Sequence, residues 1–459
     1  MTFSEYVASL RNKRITVLGI GVSNTPLIRR LAAAGCTVTA RDRADRERLG
    51  PVAEELENMG VRLILGENYL EGIEADVIFR TPGLRPDLPQ ISAAVAAGAE
   101  LTSEMEAFFR VCPCRIIAVT GSDGKTTTTT IISELLKAAG YTVHLGGNIG
   151  QPLLCQADDM KKEDIAVLEL SSFQLMTMRQ SPEIAVVTNL APNHLDVHKS
   201  MEEYCDAKRN IFRYQPADGK LVLNLDNEIT SAMISQARCP VALFSRRQPV
   251  ETGFYCSDGV IYAAEAGKAE PVLEASEIFL PGVHNIENFM AAFAAVSGLV
   301  DTETMRKVAR TFKGVEHRIE HVRTLRGVRY YNDSIASSPS RAIAGLRSFD
   351  QKLIILAGGK DKGVPFDTLG EEYVRRAKAV FLTGPTAGAI RSAIERAPGY
   401  AGSPEIFEFA DFRENVLAAA RYAEDGDVVM LSPACTSFDR FRNFMERGKY
   451  FKEIINSLE

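Results

Sequence analysis

The chain has 459 residues, 46% hydrophobic and 24% charged, the composition of an ordinary globular protein of roughly three domains. A formal charge of −6 argues against nucleic acid as the main partner, and no stretch nears the ~20 apolar residues that span a bilayer. Met1–Arg14 lacks an apolar signal core and the eight cysteines are scattered, so reduced thiols in a cytoplasmic protein are expected; Cys112-Pro113-Cys114 has neither zinc nor redox spacing.

Residues 1–103 alternate short apolar strands with helices. Ile15–Ile20, Thr37–Arg41, Arg62–Leu65 and Val77–Phe79 read as strands, Pro26–Ala34 and Gln90–Ala97 as helices, which predicts a parallel sheet with helices on its faces. Gly19-Ile20-Gly21-Val22-Ser23-Asn24 follows the first strand like a dinucleotide fingerprint, but Asn24 replaces its third glycine. Asp42, ending the next strand, is placed to meet a ribose. NAD fits this turn less well than another nucleotide diphosphate does.

A second block, 104–314, holds the most informative segment. The buried-strand run Ile116–Thr120 breaks into Gly121-Ser122-Asp123-Gly124, and Lys125-Thr126-Thr127 opens a helix through Leu136. Glycines let backbone N–H groups converge on an anion, the helix start adds its dipole, Lys125 adds charge and a threonine hydroxyl can reach Mg²⁺. Val119 stands where the strict phosphate-loop pattern has its first glycine, so an ordinary strand-to-helix turn is the alternative. Further strands are expected at Ile165–Leu170, Ile184–Leu190 and Leu221–Leu225, a small β excursion at 248–280, and helices at Val283–Leu299 and Thr302–Thr311. The third block, 315–459, again alternates, with strands Val328–Asn332, Lys352–Ala357, Ala379–Thr383 and Val428–Leu431 and a last helix Phe438–Leu458.

Several polar residues stand where burial would be costly without a task. Glu169 ends an apolar strand, where a carboxylate holds Mg²⁺ or simply faces solvent. Asn193-His194-Leu195-Asp196-Val197-His198 follows another strand; its spacing alone does not separate ligands from a polar loop. Lys208, on the helix Met201–Phe212, would by itself be an ordinary solvated lysine. His284-Asn285-Ile286-Glu287-Asn288 opens a helix and either frames a base or caps it. Arg318 is placed to reach a γ-phosphate, and Asn332-Asp333-Ser334 and Gly358-Gly359-Lys360-Asp361-Lys362 end strands, where ligands of open α/β sheets collect.

Taken in order, these segments resemble the Mur ligase family. Thr120–Thr127, Gly146-Gly147-Asn148-Ile149-Gly150, Glu169-Leu170-Ser171-Ser172, Asn193–His198, Asp206-Ala207-Lys208, His284-Asn285 with Asn288, Glu316-His317-Arg318 and Asn332-Asp333-Ser334 match the family in kind and sequence. The resemblance covers the whole chain. The tail Leu431-Ser432-Pro433-Ala434-Cys435-Thr436-Ser437-Phe438-Asp439, with Phe441, Asn443-Phe444 and Arg447-Gly448, is similar to that of members adding D-glutamate, and the D-N-P-R motif of the diaminopimelate or lysine adders is absent.

The resemblance implies an α/β chain of three domains. A Rossmann-like N-terminal domain (1–103) would bind the UDP substrate, a P-loop-type central domain with a mostly parallel sheet (104–314) would bind ATP, and a Rossmann-like C-terminal domain (315–459) would bind the amino acid. The implied reaction is ATP-dependent joining of D-glutamate to UDP-MurNAc-L-Ala through an acyl phosphate, with two Mg²⁺ ions and a carbamylated Lys208, by a cytoplasmic monomer. Gly121, Ser122, Gly124, Lys125, Thr126 and Thr127 would cradle the phosphates. Thr126, Glu169, His194 and Lys208 would hold metal, with Lys125, His194 and Lys208 catalytic. Asn285 and Asn288 would line the adenine pocket, Arg318 meet the γ-phosphate and Asp333 the ribose. Val22, Ser23, Asp42, Arg43 and Gly83 would meet the UDP group, Asn148 the muramoyl part, and Ser337, Lys362, Ser437 and Phe444 the D-glutamate. One departure stands out: Ile335 and Ser337 occupy positions where some members have lysine and threonine, and Lys360 is a candidate to supply the missing charge. Another Mur ligase or a folylpolyglutamate-type ligase is the alternative of the same class. An NAD-binding protein and a non-catalytic nucleotide-binding paralogue are the alternatives outside it.

Overall fold

The computed structural model describes residues 1–193, 197–361 and 363–459. It forms two compact units, Met1–Ala275 with Glu287–Val308, and Ser276–Ile286 with Ala309–Glu459. The first unit contains two sheets and the second contains one, which gives a three-domain α/β architecture.

The first sheet comprises β1 (Arg14–Leu18), β2 (Thr37–Asp42), β3 (Arg62–Leu65), β4 (Val77–Arg80) and β5 (Glu100–Thr102), all parallel in the order β3-β2-β1-β4-β5. Its core is the apolar set of the alternating pattern, including Ile15, Val17, Leu27, Leu31, Val77 and Phe79. The strand order reverses between β1 and β4, which opens a crevice at their carboxyl ends. The helix after β1 runs Asn24–Ala33, two residues ahead of its expected start at Pro26, because proline is tolerated in a first turn.

The second sheet holds β6 (Arg115–Thr120), β7 (Val143–Gly147), β8 (Ile165–Glu169), β9 (Ile184–Val187), β10 (Lys220–Asn224), β11 (Val241–Ser245), β12 (Gly253–Ser257), β13 (Val260–Glu265) and β14 (Lys268–Glu274). The order is β14-β13-β12-β11-β10-β9-β6-β8-β7, parallel from β7 through β12. β6, β8 and β9 are buried almost throughout, which is why they read as continuous apolar runs. The β excursion is an antiparallel meander, β12-β13-β14. Both its turns, Asp258-Gly259 and Ala266-Gly267, have positive φ at both central residues, as tight hairpins require.

The third sheet comprises β15 (Glu320–Leu325), β16 (Val328–Asn332), β17 (Leu353–Ala357), β18 (Ala377–Leu382), β19 (Glu405–Glu408) and β20 (Val428–Leu431), in the order β15-β16-β20-β17-β18-β19. All pairs are parallel except β15–β16. The last helix spans Phe444–Asn456 rather than starting at Phe438. Asn443 caps it, its side chain accepting the Glu446 N–H, and 438–443 form a loop. No helix among the described residues is long and apolar enough to cross a membrane.

Glu104 opens the helix Glu104–Val111 from a buried position and accepts the Leu154 N–H at 3.0 Å. Burial pushes its carboxyl up to about 7. Between the ordinary carboxyl range and that value the folded chain holds a proton that the unfolded chain releases, so stability falls as pH rises through this window. Glu104→Gln keeps the acceptor and removes the charge. It should raise the unfolding free energy at pH 8.5 by on the order of 3 kcal/mol, seen as a higher melting temperature, and change little at pH 4.5, as thermal melts across pH would show.

Candidate active site

The phosphate loop leaves β6 and enters the helix Lys125–Ala138. Its backbone lies where only glycine fits. A Cβ at Gly121 (φ +151°) would fall 1.9 Å from the Thr188 hydroxyl, and one at Gly124 (φ +78°) 2.4 Å from Asn288 Oδ1. The residues after β9 brace the loop: Ser122 N donates to Asn189 O (2.8 Å), Asp123 N to Asn189 Oδ1 (3.0 Å) and Thr188 Oγ1 to Asp123 O (2.6 Å). This bracing is why β9 ends at Val187 rather than at Leu190. Ser122 Oγ donates to Ala191 O (2.9 Å) and lies 2.9 Å from the Tyr204 hydroxyl.

Three of the expected residues meet at one carboxylate. Glu169, buried at the end of β8, accepts Thr126 Oγ1 at 2.7 Å and Asn148 Nδ2 at 2.8 Å. Asn148 follows β7, so adjacent strands β6, β8 and β7 all deliver site groups from their carboxyl ends. Lys125 Nζ donates to its own loop carbonyls, Gly121 O (2.9 Å) and Ser122 O (2.8 Å), and the Thr127 side chain is buried in the same helix turn.

Lys208 is not a solvated helix lysine. It is 2% exposed, donating to Thr120 Oγ1 (3.1 Å) and Gly121 O (2.9 Å), with its ammonium 4.9 Å from the Tyr204 ring centre. Burial first, and the Lys125 charge second, hold its pKa well below the usual lysine range. The neutral amine is the form that adds to CO₂, so the site suits a carbamate. His194 lies outside the described residues. Nearby His198 is buried, stacked on Phe173, with Nε2 2.9 Å from Ser172 Oγ.

Among the described residues no three His, Cys, Asp or Glu side chains converge as a metal cluster. Mg²⁺ is a hard cation usually held by one or two carboxylates plus substrate phosphates. Glu169 with the Thr126 hydroxyl supplies such a partial oxygen shell.

In the first sheet, the Gly19–Asn24 turn, Asp42 and Gly83 lie after β1, β2 and β4, neighbours at the crevice. Asn24 Nδ2 donates to Leu18 O (3.3 Å) and Gly19 O (3.0 Å), closing the turn where the fingerprint has glycine. Asp42 accepts Ile20 N (2.6 Å) and Ala44 N (2.7 Å). Gly21, Val22 and Arg43 are exposed and Ser23 is half-buried.

In the second unit, β16, β20 and β17 are neighbours, and Asn332–Ser337, Ser432–Ser437 and Gly358–Asp361 follow their carboxyl ends. Asp333 is buried, taking Ser432 Oγ (3.2 Å) and Ile319 N (3.3 Å), and desolvation raises its pKa to about 7 against the pull of Arg318. Ser437 is buried, Ser337 half-buried, and Phe444 lies edge-on to His317 at 5.9 Å. Lys360 is exposed and pairs through its backbone with Thr436 (2.9 and 3.1 Å). Lys362 lies outside the described residues. Asn285 Nδ2 donates to Pro281 O (2.6 Å) in this unit, while Asn288, in the other unit, accepts Thr128 Oγ1 (3.3 Å). A residue that motif reading leaves without a role is Arg447. Fully buried, it joins two site loops by donating to Ser334 Oγ (3.0 Å), Ser334 O (2.9 Å) and Cys435 O (3.2 Å). Thr188, Asn189 and Tyr204 carry no motif either; the polar Thr188-Asn189 pair ending an apolar strand is the available signal.

A braced phosphate loop joined to a buried carboxylate, on a three-sheet α/β chain, marks the class of phosphate-binding α/β enzymes. Residues 119–296 match the Mur ligase middle domain and residues 317–435 the Mur ligase, glutamate ligase domain. The chain belongs to the Mur ligase family. It is 52% identical over 461 residues to the UDP-N-acetylmuramoylalanine–D-glutamate ligase of Acetivibrio thermocellus, covering 99% of both chains. It is 50% identical over 459 residues to the enzyme of that name from Clostridium novyi, covering 100% of this chain and 99% of that one. The fold is also that of the UDP-N-acetylmuramate-alanine ligase of Thermotoga maritima, with TM-score 0.59 at 18% identity over 97% of this chain and 100% of that one.

Proposed function

We propose that this chain is a cytoplasmic, ATP-dependent amide ligase that adds D-glutamate to UDP-N-acetylmuramoyl-L-alanine in peptidoglycan precursor synthesis. The observation that carries the reading is the meeting of Thr126, Asn148 and Glu169 at the phosphate loop, in a chain whose full-length relatives are named for this activity. The working division is 1–103 for the uridine substrate, 104–314 for ATP and 315–459 for the amino acid. A monomer supplies every residue the reading uses.

The task is to join two anions and an amine while keeping water away. The γ-phosphoryl group of ATP passes to the alanyl carboxylate, ADP leaves, and an acyl phosphate forms. The amine of D-glutamate attacks its carbonyl, and the tetrahedral intermediate collapses with loss of phosphate. Gly121, Ser122, Gly124, Lys125 and Thr127 hold the phosphates, and Lys125 meets the charge that develops on the transferred group. Thr126 and Glu169, Lys208 as a carbamate, and His194 are the groups that would hold the two Mg²⁺ ions, whose charge offsets the repulsion between phosphates and carboxylate. Asn285 and Asn288 serve the adenine, Arg318 the γ-phosphate and Asp333 the ribose. Val22, Ser23, Asp42, Arg43 and Gly83 hold the UDP group and Asn148 the muramoyl part, while Ser337, Lys362, Ser437 and Phe444 receive D-glutamate.

The test is phosphate release with ATP, Mg²⁺ and UDP-MurNAc-L-Ala across D-Glu, L-Glu, L-Ala, L-Lys and diaminopimelate. Release that requires D-Glu supports the reading. Release with another amino acid keeps the ligase and discards the specificity, and no release with any pair overturns both.

A further inference from the structure

The loop after β4, Thr81-Pro82-Gly83-Leu84, sits between two arginines that tie it to different parts of the central domain. Arg80, the last residue of β4, is 1% exposed. Its Nη1 donates to the carbonyls of Thr81 (3.2 Å), Pro82 (2.9 Å) and Leu84, so it holds the loop from within. Its Nη2 crosses to Phe173 O (3.1 Å) and Thr177 Oγ1 (3.3 Å). Phe173 lies in the short helix Ser172–Leu175, which begins three residues after Glu169. Burial lowers the Arg80 guanidinium to about 10, so it stays charged at neutral pH.

Arg85, just past the loop, faces the other way. It donates to Val197 O (2.6 Å) and forms a two-point pair with Glu203, Nη2–Oε1 2.7 Å and Nη1–Oε2 3.1 Å. Glu203 lies in the first turn of the helix Met201–Arg213, which carries Lys208. Asp87 accepts the opposite edge of the Arg85 fork, and Lys199 pairs with Asp87 as well. The loop also touches the nucleotide turn of its own sheet, since a Cβ at Gly19 would fall 2.9 Å from Thr81 Cβ.

We propose that Arg80 and Arg85 are positioning residues that fasten the uridine-substrate loop to the two elements presenting Glu169 and Lys208. Uridine nucleotide bound in the first domain is thereby felt where Mg²⁺ and ATP phosphates bind. A planar fork suits this work because its two edges reach acceptors on different segments at fixed angles, where a lysine offers a single point. The inference rests on the proposed function for the identity of the substrate, not for the linkage itself.

The test measures coupling directly. Binding of a non-hydrolysable ATP analogue with Mg²⁺ is titrated with and without saturating UDP-MurNAc-L-Ala, in the parent chain, Arg80→Lys and Arg85→Gln. The parent should show at least about 5-fold tighter analogue binding with the uridine nucleotide present. Both variants should bind each ligand alone within about 3-fold of the parent and lose most of that factor, with kcat falling about 10- to 100-fold. A parent without coupling, or variants that keep it and merely melt earlier, would overturn the proposal. Coupling without D-glutamate-dependent phosphate release would leave it standing and remove the proposed reaction instead.

Discussion

Lys208→Ala should abolish ligation while leaving the fold intact, and added acetate or formate should restore part of the activity. A lysine 2% exposed, in a site that already contains Lys125, carries a heavy desolvation cost and like-charge repulsion. Among the described residues its amine donates to a hydroxyl and a carbonyl. A carbamate formed from that amine and CO₂ becomes an oxygen ligand for a hard cation. Truncation leaves room beside Thr120 and Gly121 where a small carboxylate can stand in for it. Lys208→Arg should not rescue, since guanidinium does not form a carbamate. Rates in bicarbonate-free and bicarbonate-supplemented buffer, with and without added carboxylate, check this. Full activity in Lys208→Ala would show that no carbamate is needed.

Lys125→Met should lower kcat/KM at least ~10²-fold with little change in melting temperature. Lys125 Nζ rests on Gly121 O and Ser122 O, contacts that a phosphate oxygen can replace without moving the helix. The loop keeps its shape through Thr188 and Asn189, which do not depend on the lysine. The loss should therefore appear in the chemical step rather than in folding. Lys125→Arg should recover little, because a planar fork does not replace a point charge in a cradle cut for an ammonium. Steady-state kinetics with thermal melts separate the two effects, and a loss below about 3-fold would remove Lys125 from phosphate handling.

Much of the site was legible because its signals are local. The glycines of the phosphate loop, the acid ending β8 and the polar triplet after β16 each break an apolar run, and each lies at a strand's carboxyl end. Less visible were residues whose work is long-range. Arg80 reads as one more charged residue at a strand end, yet it is fully buried and serves a carbonyl 93 positions away. Asn24 reads as a flaw in a glycine fingerprint, while its amide closes the turn that glycine would only permit. The polar strand β15 leaves no apolar run in the sequence because it is an antiparallel edge strand with only partial burial. Phe438 and Phe441 continue the apolar spacing of the last helix ahead of its start, which the Asn443 cap marks.

The proposed ligation requires that an acyl phosphate form on the uridine substrate. It is tested most directly by carrying ¹⁸O in the alanyl carboxylate of UDP-MurNAc-L-Ala and analysing the released phosphate by mass spectrometry in the presence of D-glutamate. The expected result is one ¹⁸O in each phosphate released, together with the new amide. Phosphate free of label would mean that water, not the substrate carboxylate, had accepted the phosphoryl group, and would contradict the ligase account.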